Sequence, residues 1–217
     1  MGILCPESSP HEIEYRNQTM SIIEPQQAIE VARWRKAKRL RLTALRQSIS
    51  LQQRRKNSAL IIRQLDAYLT QVPEKIISTY WPIKAEPNLL AWMKRRYQGG
   101  SRIALPVIET SNAPMVFREW SPDAPMKTGI WNIPVPAEGA LLIPTLVITP
   151  LVGFDAANYR LGNGGGYFDR TLAELIANKQ RPTVIGVGYE CLQIATIRPK
   201  PHDIPMDVIV TEKLVHR

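Results

Sequence analysis

The chain has 217 residues and 44% hydrophobic content, enough for one substantial core or at most two small ones. Its longest apolar stretch, residues 141–154, is broken by Pro144, Thr149 and Pro150, so neither a membrane span nor a disordered chain is expected. The net charge of +9 is local: residues 33–63 hold eleven Lys or Arg and no Asp or Glu, while the remainder carries 17 basic against 19 acidic residues. Such a segment attracts polyanions, among them nucleic acids, nucleotides and polyglutamylated small molecules. Cys5, Cys191, His11, His202 and His216 lack metal-ligand spacing, which argues against a zinc site or a disulfide framework and for a reducing cytoplasm.

In residues 1–25 no basic region precedes an apolar one, as a secretory signal requires. Glu7, Glu12, Glu14 and Glu24 against the single Arg16 argue against a transit peptide, and Pro6 stands where myristoylation wants Ser or Thr. A poorly ordered extension is expected there, with one folded domain over 26–217.

Residues 25–47 predict a helix with Leu42, Leu45 and Ile49 as a short apolar stripe. Ser50-Leu-Gln-Gln53 fits a capping box, in which Ser50 caps a second helix and Gln53 reaches back. That helix should run to about Thr70 and bury Leu60, Ile61, Leu65, Tyr68 and Leu69. Arg35, Arg39 and Arg46 fall along one side of the first helix, a pattern that usually marks a solvated face.

Residues 75–81 are β-rich and end at Pro82, a buried strand. Pro87 fits a first helical position, and Leu89, Leu90 and Met93 carry that helix to about Tyr97, where Gly99-Gly100 stops it. Residues 101–106 return as a strand, so the two strands should pair in parallel through a right-handed crossover. Ligands of such sheets lie beyond the strands' carboxyl ends, where Trp81 and Glu86 fall. Residues 115–120 alternate as an edge or hairpin strand. Pro134 and Pro136 fix an extended loop and hold Trp131 in place, and the plain reading of such a tryptophan is core packing.

Residues 145–149 predict the strand that carries the chain into Arg160-Leu-Gly-Asn-Gly-Gly-Gly-Tyr-Phe-Asp-Arg170. Four of the five residues 162–166 are glycine. Such a stretch stabilises no core, but it lets consecutive backbone N–H groups close around an anion. Leu172, Leu175 and Ile176 predict a helix over 167–178, whose positive end faces the same anion, so the segment reads as a phosphate site. A Rossmann fingerprint would need glycine at Tyr167, and the Gly-Lys-Ser/Thr of a P-loop is absent. Arg160 is placed to pair with phosphate and Asp169 to hold magnesium; a plain glycine-rich turn is the alternative. Residues 183–189 predict a further central strand and 208–210 a short closing one. Asp203 and Asp207 stand between them. The fold expected is a single-domain α/β three-layer sandwich around a mainly parallel central sheet, led by two basic helices.

The eleven residues from Arg160 to Arg170, with Ile148-Thr-Pro-Leu-Val-Gly-Phe-Asp155 before them, resemble the signature of the 5-formyltetrahydrofolate cyclo-ligase family. A looser likeness runs from about Arg33 to about Glu212. The resemblance implies conversion of 5-formyltetrahydrofolate and ATP into 5,10-methenyltetrahydrofolate, ADP and phosphate, with magnesium, by a cytoplasmic monomer that needs neither nucleic acid nor a membrane. It assigns Arg35, Arg39, Arg160, Gly162, Asn163, Gly164, Gly165, Gly166, Tyr167 and Phe168 to ATP. To the folate it assigns Trp81, Glu86, Trp131 and Tyr167, and to magnesium Asp169 and Asp203. Arg160 and Tyr167 are the residues expected at the chemistry. A carboxylate such as Glu86 is the natural acceptor for adjacent pterin N–H donors.

Two departures stand out. Asn163 replaces a basic or large side chain and leaves less positive charge near the phosphates, and Phe168 lacks the hydroxyl of a tyrosine common there. The rival functions are a nucleic-acid-binding module on the basic helices and a different ATP-dependent kinase or ligase sharing the glycine loop. Against the first, Trp34 and Tyr68 are the only aromatics in or beside the basic segment.

Overall fold

A computed structural model describes residues 25–70 and 76–217. All but the last residue of the expected N-terminal extension, and Lys75 of the expected first strand, lie outside the described residues. The chain divides into two compact units after Trp34, and among the described residues every strand lies in the unit Arg35–Arg217.

The N-terminal helix α1 spans Pro25–Ser48 and α2 spans Leu51–Leu69. Ser50 caps α2 by accepting from the Gln53 N–H at 3.2 Å. The other half of the expected box does not form: Gln53 donates forward to Asn57 instead, at 2.7 Å. Ile61, Leu65 and Leu69, spaced by four, are buried, and Leu60 and Tyr68 are half-buried. Burying each such aliphatic side chain contributes about 1.5–3 kcal/mol.

The stripe expected on α1 is not apolar. Leu42 is buried, but Leu45 is 41% exposed, and the positions turned inward with Leu42 are Arg35, Arg39 and Arg46. The cause is what this part of α1 covers: carbonyl and carboxylate oxygens at the ends of strands rather than a hydrophobic layer.

Strand β1 (Ile76–Ser78) is followed by helix α3 (Leu90–Gln98) and strand β2 (Arg102–Val107). Pro87 lies three residues before this helix instead of opening it, because its carbonyl accepts from the buried Tyr80 hydroxyl at 2.8 Å. Gly99 caps the helix end, as expected. Strand β3 (Val116–Trp120) pairs antiparallel with β2, and β4 (Met126–Thr128) forms a separate ribbon with β5 (Pro134–Pro136). Strand β6 (Leu146–Pro150) runs into a second ribbon, β7 (Gly153–Phe154) with β8 (Arg160–Leu161). Helix α4 (Tyr167–Ala177) leads to β9 (Thr183–Val187), β10 (Val208–Val210) and the antiparallel edge strand β11 (Val215–His216).

The seven-stranded sheet has the order β11-β10-β9-β6-β1-β2-β3, parallel from β10 to β2. Alternate residues of each strand serve opposite faces. Ile77, Ile103, Leu105, Leu146 and Ile148 join one core with Ile61, Leu65, Trp92 and Met93 of α2 and α3. Ala104 and Val147 join a second core with Leu175 of α4. Helices therefore cover both faces, which is the expected three-layer arrangement. Among the described residues no helix is long and apolar enough to cross a membrane.

From β1 the chain proceeds toward β2 at one side, and from β6 toward β9 at the other. The topological switch point thus lies between β1 and β6, and in sheets of this kind ligands bind in the crevice beyond it.

Candidate active site

The segments leaving that switch point are the 79–89 connection after β1 and the glycine loop that follows β8. The expectation that β6 leads directly into the loop is corrected by the β7–β8 ribbon, which turns on Asp155. The Asp155 carboxylate accepts from the Ala157 and Tyr159 N–H groups at 3.1 and 3.2 Å and from the Ile197 N–H at 2.9 Å.

Glycine is required in the loop for definite reasons. Gly164 adopts φ +105, a backbone that side chains rarely take. At Gly165 a methyl would lie 2.8 Å from the Tyr167 ring and 3.3 Å from Trp131. The loop carbonyls are held by arginine: Arg39 donates to Gly162 O at 2.7 Å and Arg170 to Gly165 O at 2.6 Å. Among the described residues, none of the N–H groups of residues 163–166 donates to a protein acceptor. They precede the amino end of α4, whose N-cap, Gly166, offers no side chain. Free N–H groups at a helix start are an anion site.

Cations surround this loop. Arg160 is buried, donates to Asp169 at 3.2 Å and lays its guanidinium over the Phe168 ring at 4.9 Å. Burial pulls its pKa down, and the charges of Asp169 and Asp203 oppose that. Arg35, also buried, grips Asp203 through two hydrogen bonds of 2.5 and 3.0 Å. Burial would raise Asp203, but Arg35 and the Lys200 N–H outweigh it and hold the carboxyl below its ordinary range. Arg35, Arg39 and Arg160 against Asp169 and Asp203 leave a net positive charge beside the loop.

The two carboxylates expected to share a metal are engaged separately. Asp169 accepts from Arg160 and, at 3.3 Å, from the Ile204 N–H; Asp203 accepts from Arg35 and, at 2.6 Å, from the Lys200 N–H. No group of three His, Cys, Asp or Glu side chains among the described residues could hold an ion. Two carboxylates completed by nucleotide phosphates are nevertheless a donor set that suits magnesium. Asp207 is structural: it accepts from Arg181 and from the Val184 N–H.

Aromatic residues flank the loop. Trp131 is 61% exposed, so it is no core tryptophan, and its ring meets Tyr167 edge-on at 5.6 Å. The segment expected to be simply extended makes a tight turn here, with φ +57 at Trp131 and +58 at Asn132, before β5 begins. Arg170 stacks on the Tyr167 ring at 4.8 Å, and the Asn112 N–H of the β2–β3 turn points at the Tyr167 hydroxyl, 3.4 Å away.

Glu86 and Trp81 lie beyond β1, as expected. Trp81 is half-buried and packs on the main core. Glu86 is buried: Oε2 accepts from the Ile83 N–H at 3.0 Å and Oε1 faces Arg46 at 3.5 Å. Burial raises its pKa, and Asn163 of the glycine loop is among the groups that oppose the rise, so the loop acts on Glu86 across the switch point. Arg46 and Arg170 were not among the expected site residues. For Arg46 the signal was present, since it shares one helix face with Arg35 and Arg39.

Fold and loop together define a doubly wound α/β protein with an arginine-flanked glycine loop at its switch point and an aromatic wall beside it. Residues 31–212 match the profile of the 5-formyltetrahydrofolate cyclo-ligase family. The chain belongs to that family, one of ligase enzymes. It is 32% identical to the 5-formyltetrahydrofolate cyclo-ligase of Haemophilus influenzae over 181 residues, 79% of this chain and 91% of the relative. To the Escherichia coli K12 protein of the same name it is 25% identical, covering 78% of this chain and 96% of the relative. The solved 5,10-methenyltetrahydrofolate synthetase of Aquifex aeolicus superimposes with a TM-score of 0.70 at 29% identity, over 84% of this chain and 92% of that one. The Mycoplasma pneumoniae synthetase does so with 0.67 at 26%, over 82% and 99%.

Proposed function

We propose that this chain catalyses the ATP-dependent cyclisation of 5-formyltetrahydrofolate to 5,10-methenyltetrahydrofolate, releasing ADP and phosphate, as a cytoplasmic monomer of folate one-carbon metabolism. The observation that carries the reading is convergence: Arg39 and the buried Arg160 meet a glycine loop whose N–H groups have no acceptor among the described residues, beside the Trp131–Tyr167 pair. Arg35 of the basic segment is buried and Arg39 half-buried, so part of that segment's charge is turned toward the site.

The formyl oxygen is a poor leaving group, and phosphorylation makes it a good one. It attacks the γ-phosphorus, the bond to the bridging oxygen breaks and ADP departs. N10 then attacks the formyl carbon, its proton passes to solvent, and phosphate leaves with the former formyl oxygen. Such a transfer asks the protein for alignment and for neutralisation of the equatorial oxygens, which the loop N–H groups and Arg160 supply. Arg35 and Arg39 hold the rest of the triphosphate. Tyr167 and Trp131 cover the folate, and Glu86 accepts from the pterin, its Oε1 having no hydrogen bond of its own. Asp169 and Asp203, which the structure pairs with Arg160 and Arg35, are the carboxylates that would hold magnesium beside the phosphates. The ion's chemistry is to neutralise phosphate charge.

The test is purified protein with 5-formyltetrahydrofolate, ATP and magnesium, followed by the near-ultraviolet absorbance of the methenyl product. A rise that needs both ATP and magnesium is expected. Folded, ATP-binding protein that gives no rise would overturn the substrate assignment.

A further inference from the structure

Arg46 lies at the centre of the switch point, and none of the roles above uses it. Its side chain has no exposed surface. Nε donates to Lys84 O at 2.9 Å, on the segment after β1, and Nη1 donates to Leu151 O at 2.9 Å, on the segment after β6. Nη2 faces Glu86 Oε1 at 3.5 Å, and neither atom has a hydrogen bond. One guanidinium from α1 therefore spans both strand ends and meets the carboxylate between them.

Stability does not account for this arrangement. Removing both charges from water costs several kcal/mol per ion, and an apolar pair of similar volume is often equal or better. The turn it braces is strained as well, with φ +46 at Lys84 and +63 at Ala85. Left-handed backbone at two successive residues that are not glycine persists where neighbours over-determine it. Here they are Arg46 on Lys84 O, Tyr80 on Pro87 O, and Ser58, whose hydroxyl accepts from the Asn88 N–H at 3.1 Å.

We infer that Arg46 is a positioning residue for the folate: by bridging the carboxyl ends of β1 and β6 it holds the Glu86 carboxylate where the pterin meets it. The inference rests on the proposed function. The groups facing Glu86 are Arg46 from α1, Lys84 and the Ile83 N–H from its own turn, Tyr80 from the end of β1 and Asn163 from the glycine loop. Burial raises the Glu86 pKa, and Arg46 is the largest influence opposing it. Burial and the charge of Glu86 push Tyr80 well above its ordinary value, so it stays a neutral donor. Without Arg46, Glu86 would take up its proton at higher pH and lose its power to accept two N–H bonds.

Steady-state kinetics and direct 5-formyltetrahydrofolate binding, with the full chain, test this. Arg46→Lys keeps a buried charge but cannot reach three acceptors; its KM for the folate should rise about fivefold while that for ATP stays within about twofold. Arg46→Met removes the charge at similar length, and the acid limb of kcat/KM for the folate should move upward by about one pH unit. If Arg46→Met does not fold, Arg46→Lys decides. A folded Arg46→Lys in which both KM values rise together, or neither rises, would overturn the inference. Wild-type protein that neither binds nor converts the folate would instead overturn the proposed function, and this inference with it.

Discussion

The two halves of the site are built from opposite materials. The half proposed for phosphate is backbone: a loop whose glycines give up side chains so that N–H groups and three arginines can approach one another. The half proposed for the folate is made of side chains held by strained turns, Trp131 at φ +57 and Glu86 behind Lys84 and Ala85. A backbone site can be presented to a ligand without burying uncompensated charge, because helix-start N–H groups are unsatisfied in any case. A carboxylate site needs its charge maintained from within the protein, which explains why a buried arginine faces Glu86, whereas at the glycine loop Arg39 and Arg170 hold carbonyls and leave the N–H groups to a ligand.

The largest break in this comparison should come at Arg160. Arg160→Met removes the buried cation beside the loop and leaves Asp169 with the Ile204 N–H as its remaining partner. Since preorganised charge at the transferring phosphoryl group acts chiefly in the transition state, kcat should fall by about 10²–10³. The folate KM should change by less than about threefold, as Arg160 belongs to the other half. Rapid-quench measurement of ADP formation with folate at saturation checks it, and a proportionate loss of folate affinity would show that the two halves are not separable.

A smaller effect is expected from Trp131→Ala. The ring is 61% exposed and touches Tyr167 edge-on, so its removal should leave the melting temperature within about 2 °C. The folate KM should rise about tenfold, from loss of one aromatic wall, with the ATP KM unmoved. A folate KM that stays where it was would take Trp131 out of the site and leave Tyr167 as its aromatic residue.

How much of this was legible in the sequence follows the same division. Glycines are conspicuous because few positions need them, so the 162–166 loop announced itself, and β10 was found over the very residues expected, Val208–Val210. Strand periodicity reports burial, and burial is what the sheet imposes on β1, β2, β6 and β9. The β7–β8 ribbon was hidden because both of its strands lie in apolar or buried chain and its turn depends on one aspartate, Asp155, used by three N–H groups. The inward face of α1 was hidden for a different reason. Arg35, Arg39 and Arg46 read as a solvated face unless one knows that carboxylates and strand-end carbonyls lie opposite, and those arrive from 38 to 168 residues away in sequence. Pro87 misled locally, since its carbonyl was already committed to Tyr80.

The smallest expected effect sharpens the comparison without any substrate. Asp203 is tied to Arg35 and to the Lys200 N–H, and although burial works against it the carboxyl is held below its ordinary range. A depressed carboxylate pKa gives stability that is fully present above the ordinary carboxylate value and is lost as pH falls through the depressed one. In nucleotide-free protein at pH 7, Asp203→Asn should therefore be less stable than wild type by about 1–3 kcal/mol, the worth of hydrogen bonds to charged groups. That gap should begin to close only below the ordinary carboxylate value and go on closing as the pH falls through the depressed one, where the wild-type carboxyl becomes neutral as well. Chemical denaturation across this range reads it directly. The half proposed for phosphate pairs its carboxylates with arginines that a phosphate can take over, whereas Arg46 stays with Glu86 and is offered to no ligand. A gap at Asp203 that persists unchanged as the pH falls through the whole acid transition would mean that Asp203 is held by shape and not by charge, and the distinction between exchangeable and fixed pairs would fail at that point.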